Sequence, residues 1–142
     1  MAKSEISYPF VPRSTARLVP GQYWAIPLAN GKYGCGRVIQ VADNSGTKSR
    51  VIFLAGVQAW VGTSPPTVHA IAGTTVSHQG KAHILAILRT GGEVLGHRPL
   101  EADGIAPGVF LSHAAGPGIG LLRGLDDLGE ATDNDRQTRK VL

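Results

Sequence analysis

The chain has a single cysteine, Cys35, so an intramolecular disulfide and a cysteine-based zinc cage are both excluded. It has no apolar run near the roughly 20 residues that a membrane helix needs. Its N-terminus, MAKSEISYPFVPRST, lacks the apolar stretch of a secretory leader. A cytoplasmic address, with no membrane partner, is therefore the expectation. Aromatic residues are scarce, at 6%, and never alternate with basic residues along one segment. The basic residues form no run, and no repeat of fixed period is present.

The abundant residues indicate a fold class. Nineteen glycines and nine prolines suit many short strands and tight turns, and 42% apolar content supports a real core. The expectation is a mainly β fold: a single domain with an antiparallel, strongly bent sheet or partly open barrel and little helix. An irregular arm over 1–20, broken by Pro9, Pro12 and Pro20, precedes a β-rich domain over 21–142. A short strand at SYPFV is compatible with that arm. Strands are expected at 22–28, 33–42, 50–54 and 57–61, separated by the turns ANGK, DNSGT and AG. TSPPT at 63–67 breaks the ladder, because proline has no N–H to give. Residues 67–76 read equally as a strand or one helical turn. For KAHILAILR, 81–89, length and the branched Ile84 and Ile87 favour a buried strand over a helix. GGEVLGHRPL and PGVFLSH look like further strand ends, and 134–142 like a short terminal helix.

The stretch PLANGKYGCGRVIQV, 27–41, can be worked out in register. A two-residue Asn30-Gly31 loop would place Pro27 in a hydrogen-bonded pair that it cannot complete. A three-residue loop, Ala29-Asn30-Gly31, avoids this, with Gly31 as the left-handed bulge residue. Ile26 then lies opposite Gly34, and Trp24 opposite Gly36. Both glycines are expected to seat those side chains, which limits the cost of glycine in a strand. The other face carries Tyr23, Tyr33, Cys35 and Arg37. Arg37 is expected either to rest on Tyr23 or to anchor a partner's carboxylate or phosphate.

The segment GQYWAIPLANGKYGCGRV, 21–38, resembles the opening motif of the immunity protein 26 family of bacterial polymorphic toxin systems. The pattern is an aromatic-rich strand ending in Ile26-Pro27-Leu28, a glycine turn at Gly31, the aromatic Tyr33, and then Gly36-Arg37-Val38. GEVLGHRPL, 92–100, is similar to a later segment of the family. The resemblance implies a protein without catalytic residues, cofactor or metal that binds and neutralises a cognate toxin domain. Tyr23, Tyr33 and Arg37 are the exposed candidates for that contact, and the acidic cluster with Asp126, Asp127 and Glu130 is another.

Charge supplies a competing reading. The net charge is +4, and residues 1–124 carry eleven basic against five acidic side chains. A nucleic-acid-binding β-barrel would use this basic body, with Tyr23, Trp24, Tyr33 or Trp60 as stacking platforms. An acidic tail points the other way, toward mimicry of nucleic acid against a basic nuclease. Enzymatic readings are weaker. His69, His78, His83, His97 and His113 lack ligand spacing, although His78 and His83 would face each other if a turn formed at Gly80. Cys35 sits inside a strand, away from any helix N-terminus that would stabilise a thiolate. GPGIGLLRG, 116–124, has too little chain after it for a dinucleotide unit and is expected to be a turn or hinge between terminal strands.

Overall fold

A computed structural model describes residues 6–41, 50–112, 120–123, 125–130 and 140–141. Two open sheets dominate it. The first has the order β4-β3-β2-β1-β5, all antiparallel, built from β1 (Gln22–Pro27), β2 (Tyr33–Gln40), β3 (Ile52–Gln58), β4 (Val76–His83) and β5 (Val94–His97). The second has the order β8-β7-β6-β9, built from β6 (Val109–Ser112), β7 (Gly120–Arg123), β8 (Asp126–Glu130) and β9 (Lys140–Val141). Its β6–β9 pair is parallel, unlike every other pair. Among the described residues, helix is confined to α1 (Leu85–Leu88) and short 3-10 turns at Thr15–Arg17 and Leu100–Asp103. No helix among the described residues is long and apolar enough to cross a membrane.

The β1–β2 hairpin follows the three-residue loop. Trp24 pairs with Gly36, Ile26 with Gly34, and Pro27 with Tyr33. Leu28 N–H donates to Lys32 O at 2.8 Å, and Gly31 has φ of 80°, the left-handed conformation that the bulge requires. A methyl built on Gly36 would lie 2.7 Å from Cη2 of Trp24 and overlap its Cε2 and Cζ2, so the indole lies flat across this glycine. Gly34 is different. A Cβ there would make ordinary contacts, 3.8 Å from Ile26 Cβ and 3.9 Å from Leu28 Cδ2. The expectation that both glycines are seats therefore holds only for Gly36.

Other expectations are revised. The AG pair at 55–56 is not a turn: β3 runs through it unbroken, with Ala55 opposite Val38 and Gly56 opposite Arg37. The apolar run 81–89 is not one strand. It ends β4 at His83, and His83 Nδ1 accepts from Leu85 N–H at 3.1 Å as the chain enters α1. Residues 67–74 form turns, with Ile71 N–H donating to Thr67 O and Thr74 N–H to Ile71 O. Lys140–Val141 is a strand, whereas the rest of the expected terminal helix, the DNSGT turn and residues 116–119 lie outside the described residues.

Alternation gives the first sheet two faces. The first face carries Trp24, Val38, Phe53 and Val94, packed under Phe10 and Leu18 of the N-terminal arm and Ile84 and Ile87 around α1. The Trp24 and Phe53 rings meet edge-on, 6.0 Å apart at 74°. The arm is irregular, but it is tied down by paired Phe10–Val94 backbone bonds of 3.1 and 2.8 Å. On the second face, Ile39 and Leu54 pack under Leu100 and Ile105, and Tyr23 and Cys35 under Ile71. Leu125 joins this core where its N–H donates to Gln40 Oε1 at 2.7 Å, tying the start of β8 to the far end of β2.

Candidate functional site

The hairpin face expected to meet a partner is closed. Arg37 is 0% exposed and Tyr23 is buried, because residues 60–75 and 98–105 fold across the second face. The Arg37 guanidinium does not rest on Tyr23. Its Nη1 donates to Gln58 Oε1 at 3.0 Å and its Nη2 to Arg98 O at 2.7 Å. Gln58 Nε2 in turn donates to Thr74 O and Oγ1, at 2.9 and 2.6 Å. Beside this, Asp103 accepts from Arg98 Nε at 2.7 Å, Arg98 Nη2 at 3.0 Å and Gly73 N–H at 2.9 Å. These bonds clasp both covering loops to the sheet. Arg37 is therefore an internal tie and not an anchor for a partner's anion.

Electrostatics agree with an internal role. Burial pulls the Arg37 pKa down and pushes Tyr23 up. Burial also raises the Cys35 thiol to about 12, against an opposing pull from Arg37. A thiol held that high is not a thiolate at neutral pH, so Cys35 is a buried filler and not a nucleophile. The hydrogen bond from Arg98 is the main cause holding Asp103 down at about 2.

The remaining candidates are dispersed. Tyr33 is half-buried at the start of β2, where it exchanges 2.9 Å backbone bonds with Gly62. Asp126, Asp127 and Glu130 lie on β8, and their side chains fall outside the description. As stacking platforms, Tyr23 and Trp24 are unavailable because both are buried, while Trp60 packs against the Tyr23–Cys35 core. His78 and His83 do not face each other across a turn, since β4 passes straight through Gly80. His69 and His97 lie elsewhere, on a turn and on β5, and His113 is outside the described residues. Among the described residues, no three His, Cys, Asp or Glu side chains gather as metal ligands.

Among the described residues, one part of the first face has no cover. The arm and α1 shield the half around Phe53 and Val94. Toward the hairpin tip, Val57 is 45% exposed, Val61 is 59% exposed, and Leu28 is also exposed. Register places them together. Gly36 lies between Trp24 and Val57. The Tyr33–Gly62 bridge places Val61 beside Gly34, across from Ile26. Ile26, Leu28, Val57 and Val61 thus lie around Gly34, which is itself buried, with Leu28, Val57 and Val61 exposed. Val57 and Val61 were hidden in the sequence by the supposed AG turn, although the alternation Phe53, Ala55, Val57 through Gly56 was a usable signal. An apolar patch left open at the end of a covered sheet is a feature of interaction surfaces.

Comparison with known proteins gives one positive result. The family model described as immunity protein 26 matches residues 19–116, a span containing the whole first sheet and both covering loops. No curated protein matches the chain, and no solved structure does.

Proposed function

We propose, from the premise that this chain belongs to the immunity protein 26 family, that it binds and neutralises the toxin domain of a bacterial polymorphic toxin system without chemistry of its own. The observation that carries this reading is the open apolar end of the first sheet, which lies inside the span matched by the family model. A protein that acts by occupying a partner needs such a surface, with a few anchors at its centre and a total buried area of about 1,600 Å². The family suggests a non-enzymatic role, and the high thiol pKa of Cys35 is consistent with one. A toxin acting inside the cell calls for a cytoplasmic inhibitor, and cell fractionation checks that address.

The test is co-expression. The toxin domain encoded beside this chain is expressed in a bacterial host with and without it. The expected result is arrested growth with toxin alone, rescue by the wild-type chain, and a stable complex on size-exclusion chromatography. The absence of both rescue and complex overturns the reading. The nucleic-acid alternative draws on the exposed basic residues, and salt-sensitive oligonucleotide binding by the isolated chain would favour it instead.

A further inference from the structure

Resting on the immunity reading, we infer that Arg13, Arg17 and Arg50 form a docking patch for an acidic surface of the toxin domain. The N-terminal arm assembles this patch. Thr15 N–H donates to Arg50 O at 2.7 Å, which joins the arm to the chain entering β3. Arg13 and Arg17 each lie two residues from Thr15, so the three arginine Cα atoms fall within about 14 Å of one another. All three residues are exposed. The backbone beneath them is fixed. Ser14 Oγ accepts from Ala16 N–H at 3.1 Å, and the fully buried Gln22 donates from Nε2 to Arg17 O at 3.0 Å. Arg17 Cζ lies 4.9 Å from the centre of the Phe10 ring, and the Phe10 backbone is bonded to Val94 on β5. A patch on a scaffold ordered in advance loses less freedom on binding.

Charge names the partner. Among the described residues, none of the three arginines has an ion-pair partner, while Arg98 and Asp103 pair with each other on the second-face loop. Glu101 lies on that same loop. Leu125, just before the acidic strand β8, packs against Ile39 and Leu54 on the second face. The arm packs Phe10 and Leu18 against the first face, so its arginines and the start of β8 are on opposite sides of the sheet. Lys81 also stands apart, because it pairs with Leu54 and shares the second face with it. Charges separated by about one Debye length, about 10 Å at 0.1 M salt, still repel. Carboxylates on a partner offset that repulsion, and a planar guanidinium meets each one through two parallel hydrogen bonds. Nucleic acid fits less well. The N–H groups of Thr15 and Ala16, which would cradle a phosphate, are taken by Arg50 O and Ser14 Oγ. Phe10 is buried beneath Arg17, and Tyr8 is half-buried against it with its hydroxyl bonded to Gln22, so the rings make a poor platform for bases. The family also implies a protein partner in general.

The experiment uses the full chain and the purified toxin domain encoded beside it. Calorimetry reads affinity, and stopped-flow fluorescence reads the association rate. The double variant Arg13→Glu/Arg50→Glu is expected to bind roughly 10- to 100-fold more weakly, mainly through slower association. The neutral pair Arg13→Gln/Arg50→Gln should show a smaller loss in the same direction, and it tests the patch even if charge reversal disturbs folding. Raising NaCl from about 50 to about 300 mM should weaken the wild-type complex more than either double variant's. Lys81→Glu reverses a charge on the second face and should bind as wild type does. Wild-type affinity and salt dependence in both double variants would overturn the patch while leaving the immunity reading intact. A loss in Lys81→Glu as large as that of the double reversal would overturn it too, since net charge and not position would then govern binding. A wild-type chain that does not bind the toxin domain overturns the immunity reading and this assignment with it. Single-stranded oligonucleotide binding that falls with salt at a log–log slope of about −2, as three phosphate contacts give, and that is lost in the double reversal while toxin binding is unchanged, would replace the protein partner with nucleic acid.

Discussion

Gly36→Ala tests the packing account most directly, when compared with Gly34→Ala two residues away. The added methyl at Gly36 would overlap Cε2 and Cζ2 of Trp24. To regain a carbon–carbon contact of about 3.5 Å, the indole must retreat by roughly 1 Å. Trp24 is 3% exposed and abuts Phe53, so it has no free volume to retreat into. Overpacking of this kind costs about 1–3 kcal/mol. Alanine recovers about 0.5–1 kcal/mol over glycine in a strand, and this gain is common to both sites. At Gly34 the methyl meets only ordinary contacts, so the gain stands alone. The two variants should therefore differ by about 1–3 kcal/mol, with Gly34→Ala at or above wild type. With a urea slope of about 2 kcal/mol/M, a separation of 2 kcal/mol is about 1 M in midpoint. Unfolding followed by tryptophan fluorescence reads it. Equal midpoints, or Gly36→Ala above Gly34→Ala, would refute the seat.

Three further outcomes are expected. Arg37→Ala removes a fully buried side chain and leaves Gln58 Oε1 and Arg98 O without their donor, so it should cost about 3 kcal/mol or more; a loss below about 1 kcal/mol in denaturant unfolding would contradict the clasp. Cys35 should react with a thiol-specific disulfide reagent at pH 8 only after unfolding, and stability should fall as pH rises from about 9 toward about 12, since the unfolded thiol ionises first; rapid labelling of the folded chain would sink this. Asp103 is held near 2, below its ordinary 3.8, so its contribution is present above about pH 4 and is lost as pH falls toward 2. Asp103→Asn should flatten that acid limb in a pH series of thermal melts, and an unchanged limb would remove Asp103 as its source.

How much could be read in advance depended on how far apart the interacting residues lie in the chain. The hairpin register rests on four consecutive facts within the segment 27–34: a proline without an N–H, a two- or three-residue loop, a glycine free to take φ of 80°, and side-chain alternation. All of these are local, so the pairs Trp24–Gly36 and Ile26–Gly34 were legible. The run 81–89 was less so, because Ile84 and Ile87 fit a strand or a helix equally well, and the choice is made by burial against Phe53, Val94 and Phe10. The AG pair was misread because Gly56 favours a turn in isolation, while in the sheet it lies between Arg37 and Gln79 on the neighbouring strands. The family motif itself was legible for the same local reason as the hairpin, and the family model extends it over 19–116.

The candidate site divided the same way. Sequence determined that Tyr23, Cys35 and Arg37 share one face and Trp24, Ile26 and Val38 the other, since alternation needs only the strand. Which face meets solvent was decided by segments from 60–75 and 98–105, more than twenty residues away, whose Ile71, Leu100 and Ile105 close over the first set. Exposure depends on what covers a residue, and cover is supplied by parts of the chain whose approach no local pattern encodes. Tertiary structure therefore turned Arg37 from an expected anchor into an internal tie. It also left Val57 and Val61, unremarkable in the sequence, as the open end of the sheet.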